Sequence, residues 1–314
     1  MNIIRKILQS AHFAQTPPVL VDIGASGEIN PKWKTIAPYS VCIAFDADDR
    51  EFNITEEENK TYRKLLTVNR IVTVNENNTS ADFYLTAFPY SSSLLEPDME
   101  KLAPWVFKDL FIVSKKTQLP AITLTKALEQ AGIQYIDWFK TDTQGTDLRI
   151  FKHLPERLQA GILVADLEPG IMDAYKGEDK LHDVMAEMDK HVFWLSSMKV
   201  LGTQRLNASL VPSIGSFLSK RVIRKSPGWA EVTYLRQPQV KTERSLLLQF
   251  VFALLEKQYG FALEIAACGT RQYNTPIFKE CEQAVWRKIR SEKLKAPLVI
   301  LKRQVNKLFG NLID

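Results

Sequence analysis

Short continuous apolar runs alternate with stretches of helical spacing along the first three quarters of the chain. That alternation predicts a mostly parallel sheet covered by helices on both faces. The run VLVDIG, opened by Pro18 and Val19, reads as the first strand. Val41–Asp46 (VCIAFD) reads as the second and Arg70–Val74 (RIVTV) as the third. Ala81–Thr86 (ADFYLT) looks like an extra extended segment. After a helix over Thr125–Gly132, Ile136–Asp142 (IDWFKTD) gives a fourth strand, with a helix from about Thr146. Gly161–Leu167 (GILVADL) is a fifth, followed by a helix over Lys180–Lys190. His191–Met198 and Trp229–Leu235 complete seven strands, separated by a loop-rich insertion over Leu201–Gly228 with Gly, Ser and Pro punctuation. The expected fold is α/β and Rossmann-like.

Beyond Pro238 the texture changes, so we place domains at 1–237 and 238–314. Ser245–Glu256 is a strongly apolar helix, and Ala284–Leu308 is a second helical pattern, broken at Pro297. Between Val285 and Lys307 eight basic residues face one acid, Glu292. Such a segment beside apolar Leu294, Leu298, Val299 and Ile300 suits either an anionic membrane surface or a packed helical subdomain or homodimer with a solvated basic face. The packed reading is the simpler of the two.

Composition narrows the classes. Hydrophobic content of 45% and charged content of 25% in 314 residues exclude wholesale disorder. Ile3, Ile4, Ile7 and Leu8 form a helical stripe, not the apolar block of a signal peptide, which predicts a cytoplasmic protein. The most apolar segment, Leu246–Leu255, is too short to cross a bilayer. Three unpaired cysteines fit a reducing compartment and exclude a cysteine zinc site, and four scattered histidines lack metal-ligand spacing. A net charge of +5 names no partner.

The candidate chemistry lies where the first two strands end. In a doubly wound sheet, ligands bind over the carboxyl ends of the strands, and small residues there let the backbone come close. Gly24, Ala25, Ser26 and Gly27 supply that approach. No GxGxxG follows the strand, and Asp22 stands where a pyrophosphate would be repelled. The ligand is therefore expected to be neutral or cationic near this turn. S-adenosylmethionine fits, with a positive sulfonium and amino group, and Asp46 is placed to accept from both ribose hydroxyls. Ordinary strand-end turns are the bland alternative.

VDIGASGE, FDAD, FYLTAFPYSSSL and IDWFKTDTQGTDLRIF, taken in this order, resemble the FkbM-type methyltransferases. The resemblance covers about Val19–Pro169. That family's D-x-x-K-x-D-x-x-G-x-E block falls here on Asp137, Lys140, Asp142, Gly145 and Asp147. Two positions depart from it: Asp46 stands where the family more often has Glu followed by Pro, and Asp147 where it usually has Glu. The resemblance implies a class I methyltransferase fold and transfer of a methyl group from S-adenosylmethionine to a hydroxyl, commonly on a sugar. It also implies a cofactor contact from the serine run Ser91 to Ser93, for which Ser93 is the candidate; a serine run also makes a plain polar loop.

A sugar hydroxyl needs help to lose its proton. Asp142 is the first choice, either as base or, with Glu168, as a ligand of Mg²⁺; the bland reading is a helix cap. Lys140 and Asp166 read as structural, and Arg205 and Asn207 as remote candidates for contact with a sugar. An Asn-Pro-Pro-aromatic element is absent after the fourth strand, which argues against DNA as substrate. The expected acceptor is a carbohydrate or glycolipid, and the expected location is the cytoplasm or the inner membrane face. A polyketide or other natural-product acceptor, or a nucleoside-binding protein without catalysis, stays open.

Overall fold

The computed structural model describes residues 3–25, 29–46, 60–214, 222–238 and 242–310. They fall into two compact units, Phe13–Val211 with Lys225–Gln237, and Met1–His12 with Pro212–Arg224 and Pro238–Asp314.

The larger unit is α/β with a seven-stranded central sheet. Its strands are β1 (Val19–Ile23), β2 (Val41–Phe45), β3 (Lys64–Val68), β7 (Trp138–Thr141), β8 (Val164–Leu167), β9 (Phe193–Gln204) and β10 (Lys225–Arg236), in the order β3-β2-β1-β7-β8-β10-β9. Pairings among β3, β2, β1, β7 and β8 are parallel, and β10 runs antiparallel to both its neighbours. The architecture is compatible with the Rossmann-like expectation. All five residues of β1 are buried, as a central parallel strand requires. Val21, Ile43, Phe139 and Ala165 join Leu148, Phe151 and Val184 of the following helices in one core. Phe139 and Phe151 meet edge to face with centroids 5.8 Å apart. Each fully buried ring contributes on the order of 2–3 kcal/mol.

Three expectations need correction. The third strand of the sheet is β3, Lys64–Val68, not Arg70–Val74. A half-exposed edge strand shows no continuous apolar run, so KLLTV is inconspicuous beside RIVTV. Ile71–Thr73 is instead β4 of a separate sheet, ordered β4-β6-β5, with β5 at Ser80–Thr86 and β6 at Val113–Thr123. The presumed insertion is in part regular: β9 and β10 extend through 201–204 and 225–228 as a long antiparallel pair.

The smaller unit contains helices Ile3–Leu8, Glu243–Leu255, Tyr259–Tyr273 and Pro276–Gly310. A capping box of Thr242 and Ser245 starts the second, whose residues from Leu246 to Ala253 are all buried. Gly269 admits the ring of Phe278, since a Cβ there would lie 2.2 Å from it. The last helix is unbroken at Pro297. A proline removes one ladder hydrogen bond but does not end a helix whose remaining bonds hold. Among the described residues, no helix is long and apolar enough to cross a membrane.

Candidate functional site

Side chains from the carboxyl ends of β1, β2, β7 and β8 converge on a cavity of about 490 Å³ in the larger unit. Gly24, Asp46, Lys140, Asp142, Gln144, Glu168 and Glu178 supply its polar edge. Ile71, Phe83, Phe88, Tyr90, Phe107, Phe111, Tyr175 and Trp229 supply an apolar and aromatic wall, with Arg70 and Lys140 as its basic side chains. Its size and mixed character are those of a small-molecule site.

The turn after β1 is built around two constraints. Gly24 has φ +80°, and a Cβ there would stand 2.0 Å from the carbonyl oxygen of Asp142. Asp142 N in turn donates to Ile23 O at 2.9 Å, so the tips of β1 and β7 are drawn together over a residue that must be glycine. Beneath it, Asp22 and Lys140 occupy paired positions of β1 and β7. Lys140 Nζ lies 2.8 Å from Asp22 Oδ1 and donates to Gly24 O at 3.1 Å. Asp22 Oδ2 accepts from Asn30 N at 2.9 Å. Burial alone would depress the Lys140 ammonium; the charges of Asp22, Asp142 and Asp147 outweigh it and raise its pKa.

The expected cofactor contact of Asp22 is not where the side chain lies. Asp22 is fully buried, is balanced by Lys140 and does not line the cavity. Ala25 is also buried away from the cavity lining. Ser26 and Gly27 lie outside the described residues. Asp46 does line the cavity, at the tip of β2. Ser93 does not: its hydroxyl donates to Gln144 O at 2.7 Å and accepts from Leu95 N at 3.0 Å, so it ties two loops together. Its neighbours Ser91 and Ser92 line the cavity instead. Arg205 and Asn207 are not among the lining residues. Asp166 is structural, accepting from Trp138 Nε1 at 2.8 Å and from the Thr233 hydroxyl at 2.5 Å.

Asp142 and Glu168 line the cavity, and a third acid, Asp147, is buried behind them. Asp147 Oδ1 accepts from the Thr141 hydroxyl, from Thr143 N at 2.9 Å and from the Thr143 hydroxyl at 2.5 Å. Its Oδ2 accepts from Glu168 N at 3.1 Å, joining the ends of β7 and β8. Asp147 thus has a donor on each of its oxygens. Burial, followed by the charge of Asp142, still pushes its carboxyl above the usual range. Burial and the charges of Asp142 and Asp147 push Glu168 up to about 9, so it holds its proton at neutral pH.

Asp142 is not the helix cap. Thr146 precedes helix Asp147–His153, and Asp142 Oδ1 accepts instead from Gln144 Nε2 at 2.7 Å. Gln144 adopts φ 56°, a left-handed conformation in which side chains are uncommon. The hydroxyl of Tyr175 donates to Ser91 O at 2.8 Å, with Gln144 Oε1 3.2 Å away. Burial, with Glu178 next, raises the Tyr175 pKa well above its ordinary value, so it stays a donor. Gln144, Tyr175, Glu178 and Trp229 escaped the sequence reading. Only Gln144 carried a local signal, the Gln-Gly step after β7.

Asp142 and Glu168 offer two carboxylates, and among the described residues no group of three or more His, Cys, Asp or Glu side chains is arranged to hold a metal ion. No protein-family model matches the chain, and no curated protein matches it either.

Proposed function

We propose that the protein is an S-adenosylmethionine-dependent O-methyltransferase of the FkbM type, acting on a hydroxyl of a carbohydrate or glycolipid. One observation carries this reading: Asp46, Asp142, Glu168 and Glu178 border a cavity over the strand ends, where a phosphate-bearing coenzyme would require cationic or amide donors. The sequence elements shared with that family add to it. The cofactor would supply a methyl group on a positive sulfur, with Asp46 accepting from its ribose hydroxyls and Gly24 letting the backbone approach.

The chain's own groups then do two things. Asp142, oriented by Gln144, takes the proton of the acceptor hydroxyl as its oxygen bonds to the methyl carbon and the carbon–sulfur bond breaks. Glu168, neutral at pH 7, donates a hydrogen bond that helps to hold the acceptor in line.

Calorimetric titration of the full chain with S-adenosylmethionine and with NAD, followed by transfer assays on glycans read by mass, tests the reading. We expect saturable binding of the first alone and a gain of one methylene on an acceptor, lost in Asp142→Asn. Binding of NAD with none of S-adenosylmethionine would overturn it.

A further inference from the structure

All hydrogen bonds to Glu178 fall on one of its oxygens. Oε1 accepts from Ala174 N at 2.9 Å and from Lys180 Nζ at 2.6 Å, whereas Oε2 accepts none. Yet the side chain is only 3% exposed and lines the cavity. Glu178 lines the cavity, and its Oε2 is free to accept from a donor brought by a ligand. Two backbone positions hold the group there. A Cβ on Gly170 would lie 2.8 Å from Glu178 Oε2, and one on Gly145, where φ is +109°, would lie 2.9 Å from Glu178 Cβ. Gly170 also bridges to Trp229, whose ring lines the same cavity and is steadied by Phe107, stacked at 6.2 Å with an interplanar angle of 12°. A carboxylate oxygen lacking a donor and a held indole thus flank one glycine.

We propose that Glu178 Oε2 and Trp229 form the acceptor subsite, and that it takes an uncharged polyol ring, a hexopyranose without phosphate. This rests on the methyl-transfer reading and narrows it. A ring hydroxyl donates to Oε2 while the ring's C–H face lies against the indole. A cationic acceptor gains little, because Lys180 already balances Glu178 at 2.6 Å and Asp173 at 2.8 Å. A phosphorylated acceptor meets the carboxylates of Asp142 and Glu178, which line the same cavity.

Saturation-transfer NMR of the full chain with methyl hexopyranosides and their 6-phosphates, against wild type, Glu178→Gln and Gly170→Ala, tests this. The second variant pushes a methyl group into the carboxylate and keeps its charge, so it covers the case in which Glu178→Gln fails to fold. We expect at least one neutral glycoside to bind, no 6-phosphate to bind, and affinity to fall about tenfold or more in each variant that folds. S-adenosylmethionine binding by the wild type is titrated separately. Unchanged glycoside affinity in the variants, equal binding of the phosphates, or no glycoside binding at all would overturn the subsite. Loss of S-adenosylmethionine binding by the wild type would instead strike the methyl-transfer reading, and the glycoside result would still stand or fall by itself.

Discussion

The ammonium of Lys140 lies 2.8 Å from Asp22 Oδ1 across directly paired positions of β1 and β7. This pair explains why an acid precedes the glycine turn. Its charge holds a neighbouring strand's cation, which in turn holds the Gly24 carbonyl. Removing one partner leaves the other buried and bare, which costs about 3–5 kcal/mol. Asp22→Asn and Lys140→Met are each expected to lower the unfolding free energy of the larger unit by that order, read from urea denaturation. The double variant loses less than the sum. Additive losses in a double-mutant cycle would show that the pair is not coupled.

Gly24→Ala tests the closure of the two strand tips. The new Cβ meets the Asp142 carbonyl at 2.0 Å with φ at +80°, so strain and collision add. Destabilisation above about 3 kcal/mol is expected, read as insoluble expression or a collapsed melting transition. A soluble variant with the wild-type transition would contradict the closure.

The legible parts of the sequence were the buried ones. β1, β2, β7 and β8 announce themselves because a central parallel strand is mostly apolar, and the few charged residues in and just after them stand out. β3 and β6 were missed for the opposite reason. Lys64–Val68 is a half-exposed edge, and Val113–Thr123 carries Ser114, Lys115, Lys116 and Pro120 on a largely exposed strand. The same divide runs through the site. Asp46, Asp142 and Glu168 were readable as strand ends. Tyr175 and Glu178 arrive on a loop after β8, and Trp229 on β10, joined by contacts that no local spacing encodes. Asp22 was legible as an acid but not as an ion-pair partner, because the register that sets Lys140 opposite it is a property of the folded sheet.

Glu168 is expected to trade stability for function. Its folded pKa of about 9 lies above its unfolded value, so between those two the folded state holds a proton that the unfolded state has lost. Stability from this group is intact below about pH 4.3 and declines as pH rises toward 9. Glu168→Gln removes that penalty and is expected to stabilise the protein by about 1–3 kcal/mol at pH 7, with no gain at pH 4. On the proposed function, methyl transfer is expected to fall above about pH 9 as the carboxyl ionises. Chemical denaturation at the two pH values and a pH–rate profile check both halves. A variant less stable at pH 7 than at pH 4 relative to wild type would reverse the sign and refute the assignment.

Gln144 separates positioning from folding. Its left-handed backbone, φ 56°, costs about 1–2 kcal/mol that glycine would not incur, offset in part by glycine's greater freedom when unfolded. Gln144→Gly is therefore expected to leave the urea midpoint unchanged or slightly raised. The same change deletes the amide that donates to Asp142 at 2.7 Å and the Oε1 that lies 3.2 Å from the Tyr175 hydroxyl. If Asp142 acts as the proposed base, releasing it from its orientation lowers turnover by about tenfold or more, for one hydrogen bond to a charged group of roughly 1.5–3 kcal/mol, while KM for the cofactor stays put. Gln144→Glu keeps the side chain's length but replaces the donor with a like charge beside Asp142, so its turnover is expected to be lower still. Steady-state kinetics with S-adenosylmethionine and a competent acceptor distinguishes the two variants. If both match the wild type in kcat, Gln144 shapes the loop only, and Asp142 acts without its help.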